Sequence, residues 1–169
     1  MTYINAPTRT DMNIKVLYSC SGTASVGFVV KAQSSSDEMG SPSTTFNTTT
    51  GVITLPNRPC VLNAGLMYYD NTNPSPSYQY FDYQWYDETN SQYIGSKARL
   101  RGWGPDFYYN YETLSCDEQA IAIAQNINVS LRIIGVSNSG GLPHAGLIID
   151  GTGSQDIYAG KSRLIIYEF

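Results

Sequence analysis

The last eight residues, 162–169, constrain the fold of this chain more than any other segment. They read Ser-Arg-Leu-Ile-Ile-Tyr-Glu-Phe, with almost no alternation of polar and apolar side chains. Together with residues 46–69 and the stretch that starts at residue 129, they predict the early and late strands of one β-sandwich. We expect such a strand to be buried on both faces. In a chain of 169 residues the second covering layer is expected from another copy, so the pattern predicts an oligomer.

Composition indicates one domain with a neutral, aromatic surface. Hydrophobic residues make up 41% of the chain, enough for a single core. Charged residues make up 14%, the net charge is −4, and there are 14 tyrosines. This balance argues against a broad nucleic-acid interface. The local exception is residues 97–101, with Lys97, Arg99 and Arg101, which we interpret as a solvated strand edge or, alternatively, as a contact with an acidic protein partner.

Cysteine use and the N-terminus predict folding in a cytoplasm. Cys20, Cys60 and Cys116 are too few and too widely spaced for a disulfide framework, so buried free thiols are expected. No segment has the order of a signal peptide, and no apolar run approaches the length that spans a bilayer. We therefore expect neither secretion nor a membrane partner.

The strand pattern predicts about ten short strands and no convincing amphipathic helix. Residues 1–13 are expected to form an extended arm, and residues 14–169 one domain. Residues 14–20 and 25–32 suit a hairpin, while the Ser-rich residues 33–45 suit a loop outside the core. The fold class predicted is an all-β sandwich, a jelly roll or related Greek key.

Residues 78–86 and 118–125 each show a regular alternation. In the first, Phe81, Tyr83 and Trp85 are expected on a buried face, with Tyr80, Asp82 and Gln84 on a wet face. In the second, alanines alternate with isoleucines, which leaves strand and helix open.

The residues that carry catalysis in other proteins form no convincing site here. His144 is the only histidine, which excludes a histidine pair on a metal. The acids Asp82, Asp87, Glu88, Asp117 and Glu118 have no spacing that singles out a glycosidase pair. We predict no enzyme activity, no metal and no cofactor.

The unusual feature of the chain is the aromatic content near Tyr78, Tyr80 and Trp103. It favours a role in the core and in a protein interface, with a glycan platform as the alternative.

Four segments resemble one family. Residues 46–56 run from Phe through polar residues and Gly into a Pro-bearing turn, and residues 64–69 form a Gly-led aromatic strand. Residues 129–133 and 160–169 are similar to the family's penultimate and closing strands. The chain thereby resembles the trimeric jelly roll of tumour necrosis factor and the globular heads of complement proteins. The resemblance implies a homotrimer whose last strand lies near the three-fold axis, although a dimer would also cover that strand.

The departures from that family direct the functional expectation. There is no collagen-like stem and no coiled-coil heptad, and compact jelly rolls of this kind are similar to proteins on the outside of bacteriophage particles. The resemblance implies a capsid decoration (cement) protein, made in the host bacterial cytoplasm, that binds the major capsid protein and stabilises the shell. A receptor-binding or carbohydrate-binding module of a tail or head fibre, with a host-surface glycan as partner, is the alternative.

Interface residues follow from this expectation. The trimer interface is predicted to comprise Leu164, Ile166, Tyr167 and Phe169. Contacts with the capsid are predicted for Tyr3, Ile4, Lys97, Arg99 and Arg101. The alternative platform consists of Tyr78, Tyr80 and Trp103.

Overall fold

The structure is a computed structural model that describes part of the chain. The described residues are 12–18, 20, 22–23, 25–66, 68–70, 79–102, 114–115, 120–123, 127–138, 147–149 and 162–169. They contain fourteen strands and no helix. Fourteen exceeds the ten or so predicted, because residues 46–56 divide around a turn and residues 34–39, predicted as part of a loop, form a strand.

The strands are, in chain order, β1 (Asn13–Tyr18), β2 (Gly22–Thr23), β3 (Ser34–Met39), β4 (Thr45–Phe46), β5 (Ile53–Thr54), β6 (Pro59–Leu66), β7 (Tyr68–Asp70), β8 (Gln79–Asp87), β9 (Gln92–Gly102), β10 (Leu114–Ser115), β11 (Ala120–Ile123), β12 (Asn128–Asn138), β13 (Leu147–Ile149) and β14 (Arg163–Glu168).

Two antiparallel sheets form a sandwich. The six-stranded sheet has the order β10-β6-β14-β1-β3, with β11 also paired to β6. The five-stranded sheet has the order β4-β5-β12-β8-β9. A further small sheet joins β2, β13 and β7. The first and last described strands are therefore neighbours in the centre of the larger sheet, which only a fold with long-range pairing allows.

The hydrophobic core lies between the two larger sheets. Each sheet contributes alternate residues of its strands, as expected when one face of a sheet is buried. From the six-stranded sheet come Leu17, Cys60, Leu62, Ala64, Leu66, Leu164 and Ile166; from the five-stranded sheet come Ile53, Tyr83, Trp85, Ala98, Val129, Leu131 and Ile133. The predicted inward positions Tyr83 and Trp85 are confirmed, since each is 1% exposed.

Strand β14 is buried on one face only. It lies between β6 and β1, with Leu164 opposite Ala64 on one side and Leu17 on the other. Leu164, Ile166 and Glu168 are buried, whereas Ile165 and Tyr167 are half-buried. Within one chain a single sheet covers this strand, so burial of its second face by another copy stays a prediction.

The predicted hairpin of residues 14–20 with 25–32 is wrong. Strand β1 pairs with β14 and with β3, and β3 lies within the stretch predicted as a loop. Residues 27–30 instead run beside β12, where the amide of Val30 donates to the carbonyl of Leu131 at 2.9 Å. The polar composition of β3 is tolerated because β3 is at the edge of the sheet.

Two strand predictions in the second half of the chain are resolved. Residues Ala120–Ile123 form a strand that pairs with β6, which decides between strand and helix for the Ile/Ala alternation. The alternation of Val129, Leu131 and Ile133 toward the core is confirmed.

The two described cysteines are buried free thiols, as predicted. Burial raises the pKa of the Cys20 thiol to about 12, and burial is also the main reason that the pKa of Cys60 is raised to about 11.

Because the thiolate is the reactive form, we expect neither cysteine to react with a thiol reagent at pH 8 until the chain is unfolded. Peptide mass mapping after labelling in buffer and in urea checks this. Rapid labelling of either residue in buffer would contradict it. Cys116 lies outside the described residues.

Candidate functional site

The outer face of the six-stranded sheet is apolar at its centre. Ile14 is opposite Tyr167, and Tyr167 is opposite Val61, so these three side chains form a row across β1, β14 and β6. Val16 and Ile165 form the next row, which continues on β6 with the polar Asn63. We call the five apolar residues of these two rows the apolar outer face. Four of them are half-buried, and Val16, although 6% exposed, does not belong to the core cluster, as expected for a residue on the outer side.

The predicted trimer interface divides between the two sides of β14. Leu164 and Ile166, at 1% and 0% exposure, lie in the chain's own core. They are therefore not available to another copy, and their predicted role is corrected. Tyr167 belongs to the apolar outer face, and Phe169, at the end of the chain, is 39% exposed. The alternation of a strand explains the division, because neighbouring residues point to opposite faces.

Several other residues considered in the sequence analysis, as contacts or as catalytic candidates, lie outside the described residues. This is the case for Tyr3, Ile4, Tyr78, Trp103 and His144, and for Asp117 and Glu118. Tyr80 and Arg101 are opposite each other in β8 and β9, but only their backbone is described. The structure thus leaves the predicted glycan platform and the capsid-binding arm as predictions.

Lys97 and Arg99 are brought together around one buried carboxylate. Arg99 Nε and Nη2 donate to Asp82 Oδ1 and Oδ2 at 2.6 and 2.9 Å, and Lys97 Nζ lies 3.4 Å from Oδ2. The Asp82 side chain is 7% exposed, whereas that of Lys97 is 53% exposed. Asp82 is therefore not the wet residue that alternation predicted. The hydrogen bond from Arg99 is the main cause that holds the pKa of Asp82 below its usual value.

A second cluster, absent from the sequence predictions, surrounds Arg132 on the outer face of the five-stranded sheet, the face that also carries Asp82. Arg132 Nη2 lies 2.8 and 2.7 Å from the two carboxylate oxygens of Glu88, and the Ser130 hydroxyl also donates to Glu88. The Arg132 guanidinium is 3.6 Å from the centroid of the Tyr86 ring. Tyr86 in turn contacts Tyr93 edge to face at 5.0 Å. Glu88, Arg132 and the two rings are thereby fixed in one arrangement.

The pKa of Glu88 reflects competing causes. Burial alone raises the pKa of this carboxyl, but the hydrogen bonds from Arg132 and Ser130, with the charge of Arg132, outweigh burial, so the pKa is lowered. A signal for this cluster exists in the sequence. If residues 87–91 form a turn, Tyr86 and Tyr93 become neighbours across the resulting hairpin, as the structure shows.

Acid is expected to destabilise the protein through these two carboxylates. Their folded pKa values lie below the unfolded ones, so their stabilisation is present above the ordinary carboxyl pKa of about 4 and is lost as the pH falls through the folded values. We expect the free energy of unfolding, measured in urea, to be flat from pH 7 to 5 and to fall below about pH 4. Asp82→Asn with Glu88→Gln is expected to be less stable at pH 7 and to respond less to acid. An acid response as large as that of the unaltered protein would contradict the assignment.

The described residues contain no group of three or more His, Cys, Asp or Glu side chains arranged to hold a metal ion. No helix long and apolar enough to cross a membrane is found in that part of the chain. Comparison with protein-family models gave no match to this chain, and comparison with curated proteins gave none either.

Proposed function

We propose that this protein is a structural component of a bacteriophage virion, a decoration protein that forms a homotrimer on the outer surface of the capsid and stabilises the shell. The family resemblance of the strand segments supports the virion part of the proposal. The apolar outer face is the observation that carries the self-association part.

The apolar outer face has the chemistry of a protein interface. It joins Ile14, Val16, Val61, Ile165 and Tyr167 across three adjacent strands in the middle of the sheet. The outer face of an ordinary antiparallel sheet is polar because it faces water. A contiguous apolar area in the same position, with a tyrosine that offers both an apolar ring and a hydroxyl, is typical of an interaction surface.

A second and third copy of the chain are the occupants that we propose for this face. The resemblance implies that the closing strand of each subunit lies near the three-fold axis, and β14 contributes Ile165 and Tyr167 to the face. Phe169, 39% exposed at the end of β14, extends the apolar area beyond the sheet. In a closed three-fold ring this face of each subunit packs against a different surface of the next subunit, and the rotation closes the assembly.

Multiple contacts would supply the stabilisation of the shell. A trimer that grips several capsid subunits at once makes the second and third contacts effectively intramolecular, so a weak contact per subunit suffices. The residues that we propose for these contacts are those of the arm, residues 1–13.

The test uses emptied capsids of the phage that carries this protein. We expect the full chain to co-sediment with the shells and to raise their disruption temperature. Ile165→Asp, which places a charge on the apolar outer face, is expected to lose both effects. Val26→Asp is the matched control, because Val26 is 68% exposed and lies outside that face. A trimer that does not bind the shells would contradict the proposal. So would shells that are equally stable after mixing with Ile165→Asp and with the unaltered protein.

A further inference from the structure

The outer face of the five-stranded sheet carries charged and polar side chains, unlike the apolar outer face. Three rows cross its strands: Ser130, Tyr86 and Tyr93; then Arg132 and Gln84; then Gly135, Asp82 and Arg99. We propose that this surface, which we call the charged face, binds an acidic saccharide, that is, a carboxylate-bearing pyranose within a polysaccharide. The site is distinct from the proposed trimer contact, because the two sheets turn their outer faces in opposite directions.

Charge favours an anionic ligand. The described side chains of the charged face include the cations Lys31, Lys97, Arg99 and Arg132 and the anions Asp82 and Glu88. Lys31 belongs to this face because it follows by two residues Val29, which is opposite Arg132. The face thus has an excess of positive charge in a chain whose net charge is −4. A local excess of positive charge attracts a carboxylate.

An exposed aromatic ring favours a sugar among anionic ligands. Tyr93 is 51% exposed, yet its ring is held by the edge-to-face contact with Tyr86. Tyr86 is held in turn beneath the guanidinium of Arg132. A tyrosine positioned in this way presents one flat apolar face to water, and the carbon–hydrogen face of a pyranose stacks on such a ring.

The polar groups beside Tyr93 are ordered before any ligand arrives. Glu88 fixes the Arg132 guanidinium with two short contacts, and the amide of Gln84 donates to the carbonyl of Gly95 at 2.8 Å. Preordered donors and acceptors reduce the entropy lost on binding, and hydroxyl groups of a sugar require both kinds of partner.

The spacing suits more than one sugar ring. Adjacent rows are two residues apart, so Tyr93 and the Asp82–Arg99 row are separated by roughly 13 Å along the strands. A ring stacked on Tyr93 leaves a second ring over Gln84, with its carboxylate toward Lys97 or Arg132. The Lys97 side chain is 53% exposed, and its Nζ lies 3.4 Å from Asp82 Oδ2. The ammonium group can therefore contact a ligand carboxylate as well.

The test is binding of the full chain to an array of acidic and neutral bacterial polysaccharides, followed by titration with trigalacturonic acid and with an uncharged trisaccharide. We expect binding to acidic polymers only, weakened by added salt. Tyr93→Ala and Lys97→Ala are each expected to reduce the affinity about tenfold. Tyr93→Phe, which keeps the ring, is expected to bind like the unaltered protein. Arg58→Ala is the matched charge control, since Arg58 lies outside the charged face and its loss changes the net charge equally.

Each alternative outcome overturns the inference. Binding to neutral polymers only would exclude the acidic class, and binding of acidic peptides or nucleic acid equal to that of the polysaccharides would exclude a sugar site. No binding to any acidic glycan, or equal losses in Lys97→Ala and Arg58→Ala, would remove the site itself. Light scattering on each variant separates this result from the proposed function, because we expect the variants of the charged face to keep the oligomeric state of the unaltered protein.

Discussion

Glu168→Ala is expected to lower the free energy of unfolding by about 3 to 5 kcal/mol. Glu168 is fully buried near the end of β14. It accepts hydrogen bonds from the Ser43 amide at 3.0 Å and from the Thr44 amide and hydroxyl at 2.8 and 2.7 Å. Alanine removes the acceptor for all three and leaves the buried Thr44 donors unpaired. Urea unfolding followed by tryptophan fluorescence gives the measurement.

Glu168→Gln is the matched control for that prediction. The glutamine carbonyl still accepts a hydrogen bond at nearly the same position, so we expect a smaller loss than with alanine. The difference between the two variants measures what the retained acceptor and the side-chain volume contribute together. If Glu168→Ala unfolds at the same urea midpoint as the unaltered protein, the segment of Ser43 and Thr44 does not depend on this carboxylate.

Gly51→Ala is expected to destabilise the protein by about 3 kcal/mol. Gly51 has a φ of 76° in the turn between β4 and β5, and an added Cβ would lie 2.6 Å from the carbonyl oxygen of Val30 and 2.7 Å from Val29 Cγ1. A backbone oxygen cannot rotate away as a side chain does. The turn would therefore separate from the segment that runs beside β12, and a lower midpoint in urea would report this.

Gly27→Ala separates the two causes of that loss. Gly27 also has a positive φ, 87°, but an added Cβ would meet no atom within 4 Å. Only the backbone strain remains, for which we expect about 1 kcal/mol. If Gly27→Ala is as destabilising as Gly51→Ala, the close approach of Gly51 to Val30 has no energetic consequence.

The fold class followed from alternation, but the pairing of strands did not. Tyr83 and Trp85 were predictable as core because one face of a strand with large apolar residues must be buried. Strand β3 was missed because Ser34–Met39 contains no apolar periodicity; its pairing with β1 alone makes it a strand. No local pattern shows that β1 pairs with β14, since the two are separated by almost the whole chain.

The candidate sites depended on register, which the sequence does not show. Asp82 is buried because Arg99, 17 residues further on, lies opposite it after a bulge in the β8–β9 pair. Arg132 and Glu88 are 44 residues apart and meet only because β12 is next to β8. The apolar residues of β14 were recognised, but alternation alone did not tell whether Leu164 or Ile165 belongs to the chain's own core.

The mass of the purified protein in solution, measured by light scattering, tests self-association through the apolar outer face. We expect three times the chain mass of 18.6 kDa for the full chain, and the mass of one chain for Ile165→Asp. A far-ultraviolet circular dichroism spectrum of Ile165→Asp checks that the variant is folded. A full chain that runs as a monomer at all concentrations, or an Ile165→Asp variant that stays a trimer, would contradict the role of the apolar outer face.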